Sequence, residues 1–537
     1  MMKTPLLTLI LFLCCLAGFA QEPFQVMVQM KDQYNHTELC RKAQYISART
    51  ARRDFVVKEL QTFTEASQYD LMLTLNELEQ QGLVSSIHSL WSANALYFTT
   101  TEEVMQSLVE RPDIECITPV KEYQCIPDSD TRIDHQVLYE YIAPHIRQVN
   151  ADQVWEQGNM GQGVVVAVVD TGVNYNHVDI ASHLWDGGEE FPNHGYDVYN
   201  FDDDPMDDNG HGTHCAGIVC GDGTAWLATG MAPQATLMCV KSASEEGHSG
   251  AVNIVKGMEW AVEHGCDLIS LSQGIAKASV EDKELMRHCC DAFLDAGIIV
   301  IAAAGNEGSA VMQNVCPIPN NVRVPGSCPP PYLDPDQMVN PGGLSCVVTV
   351  GAVDENDTVA TFSSRGPVTW QDTEYCDYPY DTIATEPGLI RPDVCAPGDM
   401  IWSLKYNTNN DYDYKSGTSQ ATPCVAGIVA LMLHENPDLT PAAICQILEE
   451  TALKLTPTKS NLTGCGRVDA LAAVQAAAEW DALDESLDIS EDNFDASTQR
   501  VFDLTGRVVS TNNLAPGIYI IQDINGEKVK TKKIVIR

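Results

Sequence analysis

Between residues 130 and 480, short uninterrupted apolar runs alternate with stretches whose apolar residues recur at helical spacing. Val164 to Val169, Leu237 to Lys241, Leu268 to Leu271, Ile298 to Ala303 and Val347 to Val350 are runs of this kind. Successive strand residues point to opposite faces, so a run apolar at every position predicts a strand buried on both sides. Several such strands separated by helices predict an α/β unit, a parallel sheet flanked by helices. Residues 21–127 read differently. Phe24 to Met30 alternates with period two, residues 37 to 82 are rich in helix formers, and Asn94 to Thr99 predicts another strand. Thr100 and Glu103 have the spacing of a capping box opening a short helix that ends near Pro112, and Ile114 to Val120 predicts a last strand. This is a small α+β unit. Residues 481–495 form an acidic linker containing Asp481, Asp484, Glu485, Asp488, Glu491, Asp492 and Asp495. Residues 496–537 return to period-two alternation, in Val501 to Val509 and Ile518 to Ile521, and predict a small β module of sandwich-like form.

The chain has 537 residues, room for about two to four domains. Its 32 lysines and arginines stand against 74 acidic residues, a net charge of −42. A surface this negative repels phosphate backbones and anionic lipid headgroups, which argues against nucleic-acid binding. Residues 1–20 carry Lys3, the apolar run Leu6 to Leu16 and small residues at Gly18 and Ala20, the pattern of a secretory signal peptide. Nineteen cysteines in an exported chain suggest disulfides. Cys14 and Cys15 leave with the signal, Cys40, Cys116 and Cys125 fall in the first unit, and fourteen lie between Cys215 and Cys465. Proximity in sequence suggests the pairs Cys316 with Cys328, Cys376 with Cys395, and Cys445 with Cys465, although spacing alone does not fix connectivity.

Three motifs carry candidate chemistry. Val166-Ala-Val-Val-Asp170 places a carboxylate at the C-terminal end of a buried strand, the edge where sites form in open α/β sheets. In Asn209-Gly-His211-Gly-Thr-His214-Cys-Ala-Gly, small residues around an imidazole let other backbone approach it. His211 and His214 also have the spacing of a metal pair, but the Glu of the zinc-protease pattern is absent and His214 is expected to be structural. Ser416-Gly-Thr-Ser419-Gln-Ala-Thr-Pro423 puts a serine at the start of a helix, where the positive end of the helix dipole favours negative charge. Each motif alone has an ordinary structural reading. The order Asp, His, Ser is one of the known orders of a catalytic triad.

Together with Val350-Gly-Ala-Val, Phe362-Ser-Ser-Arg-Gly-Pro, Arg391-Pro-Asp-Val-Cys-Ala-Pro-Gly and Gly466-Arg-Val-Asp-Ala, these motifs make residues from about 154 to 477 resemble the subtilisin-like serine proteases (peptidase S8). The resemblance implies a subtilisin-like catalytic domain over 128–480 that hydrolyses peptide bonds in proteins or peptides. Ser419 would be its nucleophile, His211 its base and Asp170 the partner of the imidazole. Ala302-Ala-Ala-Gly-Asn306 matches the oxyanion-hole motif and assigns Asn306 as a donor. Ser270, Leu271, Ser272, Gln273 and Gly274 match the segment that binds substrate backbone and walls the main specificity pocket. Ser272 and Gln273 stand where paired glycines are frequent, and their side chains are expected to narrow or repolarise it. No cofactor is implied. Relatives often bind structural calcium in the loop that here holds Asp202, Asp204 and Asp207; a solvated acidic loop is the alternative.

Ala95 to Val104 and Arg111 to Glu115 resemble the propeptides of such proteases. That assigns 21–127 as an inhibitory propeptide of the chain's own enzyme, cleaved near residues 124 to 135. Asp503-Leu-Thr-Gly-Arg507, Ala515-Pro-Gly-Ile-Tyr519 and the basic end resemble the sorting domain of proteins exported by the type IX secretion machinery. That implies passage through the periplasm to the outside or the cell surface. A surface- or carbohydrate-binding β domain is the competing reading. The chain is expected to act as a monomer. Two rival functions remain, a catalytically dead fold used for binding and a serine esterase; the complete triad argues against the first, its order against the second.

Overall fold

A computed structural model describes residues 23–126, 141–370 and 388–480, apart from positions 44, 45, 47, 334–336, 339 and 340. It also describes residues 372–373 and strand residues between 487 and 536. The expected signal peptide, most of the expected cleavage region, Cys376 and the 503–507 and 515–516 motifs lie outside the described residues. The chain forms two compact units.

Among the described residues the smaller unit comprises 23–33, 64–90 and 94–120. Its sheet contains β1 (Phe24–Met30), β2 (Val84–Leu90), β3 (Ala95–Thr100) and β4 (Ile114–Pro119), in the order β2-β3-β1-β4, with all neighbours antiparallel. Val26, Val28, Leu96 and Phe98 point to one face, and Leu71 and Leu75 of the long helix α1 (Arg49–Gln80) pack on them. This agrees with the α+β reading, with one shift. The short helix α2 (Glu102–Leu108) is capped at Thr101 without a side-chain hydrogen bond, so the Thr100/Glu103 capping box does not form.

The larger unit is built on a seven-stranded sheet. Its strands are β6 (Val165–Asp170), β7 (Gly195–Asp197), β8 (Thr236–Lys241), β10 (Leu268–Leu271), β11 (Ile299–Ala303), β12 (Val347–Val353) and β13 (Val394–Pro397). The order is β13-β12-β11-β10-β6-β8-β7 and every pairing is parallel. A separate short strand, β5 (Tyr123–Gln124), pairs antiparallel with β9 (His248–Ser249). Helices α3 (His211–Cys220), α4 (Ala251–Glu263), α5 (Val280–Ala296) and α6 (Thr418–Glu435) cover the sheet. α6 is buried over sixteen successive residues, from Thr418 to Leu433, because it packs on sheet strands and on α3 at once. All five apolar runs predicted as strands are strands. The fold is α/β, a parallel sheet flanked by helices.

Two expectations change. Residues 499–502, 508–509, 517–525 and 528–536 form one sheet, to which Leu487–Asp488 adds an edge strand parallel to 534–535. Among the described residues the C-terminal module is thus a single five-stranded sheet, not two packed sheets, and the acidic linker contributes one of its strands. Among the described residues, no two cysteines are joined in a disulfide. Cys445 Sγ donates to the carbonyl of Ser345 and Cys465 Sγ to the Glu449 carboxylate, so each has a partner other than the proposed one. Cys316 and Cys328 are likewise not joined to each other; both are buried, and the Cys328 thiol donates to the Pro329 carbonyl.

Candidate active site

Asp170 ends β6 at the carboxyl edge of the sheet, and His211 opens α3. Gly212 makes their approach possible. A Cβ there would lie 2.0 Å from the Gly172 carbonyl oxygen and 3.1 Å from the Asp170 Cβ. The two side chains meet in a 2.7 Å hydrogen bond from His211 Nδ1 to Asp170 Oδ1, with both groups buried. Burial works to lower the imidazole's pKa, but the Asp170 carboxylate outweighs it and raises His211 above its ordinary value. His214, one turn on, bonds the Asp413 carbonyl through Nε2, and burial drives it well below its ordinary value. It is a neutral, structural histidine.

Ser419 is the second residue of α6. Its hydroxyl donates to the Ser272 carbonyl at 2.9 Å, and the Ser272 hydroxyl donates back to the Ser419 carbonyl at 2.8 Å. Cys215, four residues after His211 on α3, donates to the same Ser419 carbonyl at 3.3 Å and ties the two helices together. Burial raises the Cys215 pKa, so it stays a neutral thiol. Asn306 follows β11. Its side-chain oxygen accepts from the Thr418 N–H and hydroxyl, at 2.9 and 3.0 Å. That fixes the amide's orientation and leaves Nδ2 as the donor beside the start of α6. The role of Thr418 in aiming Asn306 was missed in the sequence, where it reads only as a helix-start residue.

The segment after β10 departs from expectation. Ser272 is engaged with Ser419, and Gln273 turns inward to donate to the Val169 carbonyl at 3.0 Å and the Ser242 hydroxyl at 2.6 Å. Both side chains are buried and hydrogen-bonded within the fold. Ser270 and Leu271 are buried in β10 itself. Gly274 instead packs against Arg323, a residue the sequence did not single out.

The candidate calcium ligands do not converge either. Asp207 is buried and accepts five hydrogen bonds, from Thr171 Oγ1, the Asn209, Gly210 and Thr213 N–H groups and Thr213 Oγ1. Asp204 accepts from the Tyr175 hydroxyl and Met206 N, and Asp202 from Asp204 N. Asp207 pins the loop to the start of α3 through Thr213. Among the described residues, the set of three His, Cys, Asp or Glu ligand atoms within 4.8 Å of one another is Asp170, His211 and Cys215. Asp202, Asp204 and Asp207 are not in that set.

The subtilase family profile (peptidase S8) matches residues 161–469, more than half of the chain and all of the site just described. The chain belongs to the subtilase family. It is 33% identical to serine protease AprX of Bacillus subtilis over 340 residues, 58% of this chain and 66% of AprX. It is 28% identical to bacillopeptidase F of the same organism, over 80% of this chain and 29% of that one. Subtilisin DY of Bacillus licheniformis is 32% identical over 61% of this chain and 96% of its own length. A cold adapted subtilisin-like serine proteinase aligns in structure with a TM-score of 0.42 and 26% identity, over 58% of this chain and 89% of that one. The chain thus spans just under two thirds of AprX, less than a third of bacillopeptidase F and nearly all of subtilisin DY. As a subtilase its class is that of the serine-type endopeptidases.

Proposed function

We propose that the protein is a secreted serine endopeptidase that cleaves polypeptides through Asp170, His211 and Ser419. The observation that carries this reading is the buried 2.7 Å pair of Asp170 on β6 with His211 on α3, the latter helix tied through Cys215 to the residue that bears the hydroxyl. In the reaction the Ser419 hydroxyl turns from the Ser272 carbonyl toward His211 Nε2, which takes its proton as Oγ attacks the scissile carbonyl. Asp170 holds the other ring nitrogen protonated and stabilises the imidazolium. Negative charge on the carbonyl oxygen is met by Asn306 Nδ2 and the Ser419 N–H at the positive end of α6. His211 then returns the proton to the leaving amine, and water repeats the sequence on the acyl-enzyme.

The chain is a zymogen in this reading, with residues 21–127 as its propeptide. Support comes from the last residues of that segment. Tyr123 and Gln124 pair antiparallel with Ser249 and His248, and the Cys125 and Ile126 N–H groups both bond the Gly247 carbonyl at 3.2 Å. A peptide added to an exposed strand edge is the way an extended substrate is held. The C-terminal sheet is a sorting module read by the type IX machinery, an assignment resting on the 503–507 and 515–519 motifs; a chain truncated after Trp480 would then accumulate in the periplasm. The protease reading is tested by incubating purified precursor and following release of residues up to about 126 by intact mass. Wild type shortens and Ser419→Ala stays full length. If both are cleaved alike, or neither is, self-processing is wrong.

A further inference from the structure

We propose that Arg323 is a specificity-determining residue of the substrate groove, a guanidinium that clamps the bound strand by its main-chain carbonyls and rejects lysine and arginine side chains beside it. The inference rests on the protease reading above and deepens it.

Arg323 is 7% exposed and is held from behind by Glu307, the residue after Asn306. Nη2 lies 2.6 Å from Glu307 Oε1, and Nε donates to the same carboxylate at 3.0 Å. A bidentate pair fixes the plane of the fork and neutralises it on that side. The remaining nitrogen, Nη1, faces the bound segment. It donates to the Cys125 carbonyl at 2.5 Å and the Gly274 carbonyl at 3.2 Å, and reaches the Gln124 carbonyl at 3.5 Å. Gly274 stands two residues beyond Ser272, which is bonded to Ser419. The guanidinium therefore lines the same stretch of groove that leads to the nucleophile. Space there is made for it: a Cβ on Gly305 would lie 2.9 Å from Arg323 Cγ, and one on Gly274 would lie 3.0 Å from Arg323 Cβ.

Segment 123–126 is thus held on one edge by the 247–249 backbone and on the other by Arg323, in both cases through main-chain atoms that any peptide supplies. When the segment leaves, Nη1 keeps the Gly274 carbonyl and loses that of Cys125. A buried charged donor without its acceptor is unfavourable, so the next peptide with a carbonyl at that place is bound in its stead. A lysine or arginine side chain alongside brings only further donors to a donor in a poorly solvated site, whereas a carboxylate or amide side chain supplies a further acceptor.

The test uses the processed enzyme and a positional-scanning peptide library covering the four residues before the cleaved bond. At one of these positions wild type prefers Glu and Gln over Lys and Arg by about tenfold or more. Arg323→Gln removes that discrimination and raises KM about tenfold, more than it lowers kcat. Arg323→Lys, which keeps the charge and the pairing with Glu307 but not the fork, raises KM while retaining part of the preference. A wild-type profile flat between acidic and basic residues at all four positions overturns the proposal without any variant. So does a folded Arg323→Gln with the wild-type KM and profile. A wild type that hydrolyses no member of the library defeats the protease reading itself, a distinguishable result.

Discussion

The His211 imidazole lies between burial, which disfavours its charge, and the Asp170 carboxylate, which favours it, and the carboxylate prevails. A raised pKa keeps the ring protonated to higher pH, so the free base needed to activate Ser419 appears only on the alkaline side of an ordinary histidine. The expected outcome is a kcat/KM that climbs with pH along a limb displaced above about 6.5. Asp170→Asn should move that limb down and cut kcat by about 10⁴-fold, because the amide presents the wrong partner to Nδ1. A limb unmoved in Asp170→Asn would separate the pair from catalysis. Asn306→Ala should lower kcat by about a hundred- to a thousandfold with little change in KM, the loss that follows removal of one such donor in a subtilisin. An equal rise in KM would mark Asn306 as a ground-state contact. Asp170, His211, Ser419 and Asn306 stood out in sequence because each lies at or just beyond the end of an element, flanked by small residues with few other uses. Arg323 was not. It lies in an irregular stretch, and only the fold brings it to Glu307 and Gly274.

Asp207 governs an element rather than the chemistry. Its two oxygens fasten the 207–213 turn, and Thr171 Oγ1, bonded to Asp207, also accepts from the Gly212 N–H. The start of α3, and with it His211, hangs on this carboxylate. Asp207→Asn places an NH₂ group against donors whichever way the amide turns. The expected loss is about 2 kcal/mol or more of stability, read as a fall in Tm, with a drop in kcat because α3 shifts. Unchanged Tm would show that the loop is held by something else. In sequence this loop stayed open between a cation site and a solvated acidic loop, since clustered aspartates look alike whether they bind a cation or cap turns. The strands were read more accurately: a strand buried on both faces must be apolar at every position, a pattern little else in a soluble chain requires. The β7 and β13 strands escaped because they are short and contain Gly195, Asp197 and Pro397.

At the scale of the whole molecule, most of the described cysteines fill the core, and none of them forms a disulfide. Cys215, Cys220, Cys239, Cys395 and Cys424 are fully buried, and for each of these thiols burial pushes the pKa up. The sequence count pointed to disulfides because export and cysteine number correlate. A core this large does not need them, since its stability rests on packed apolar surface. Alkylation of denatured, unreduced protein should therefore label all sixteen described cysteines, and a reductant should leave Tm unchanged. Loss of a native disulfide would instead cost about 2–5 kcal/mol, a shift of several degrees.

Hydrolysis of denatured casein by the processed enzyme tests the central claim most directly, comparing wild type, Ser419→Ala and wild type treated with a serine-directed phosphonate. Wild type should cleave. Ser419→Ala should lose more than about a thousandfold of that rate, and the phosphonate should abolish it while adding one equivalent of mass at Ser419. Cleavage that survives both perturbations, or a folded and processed wild type that cleaves no protein, would contradict the account.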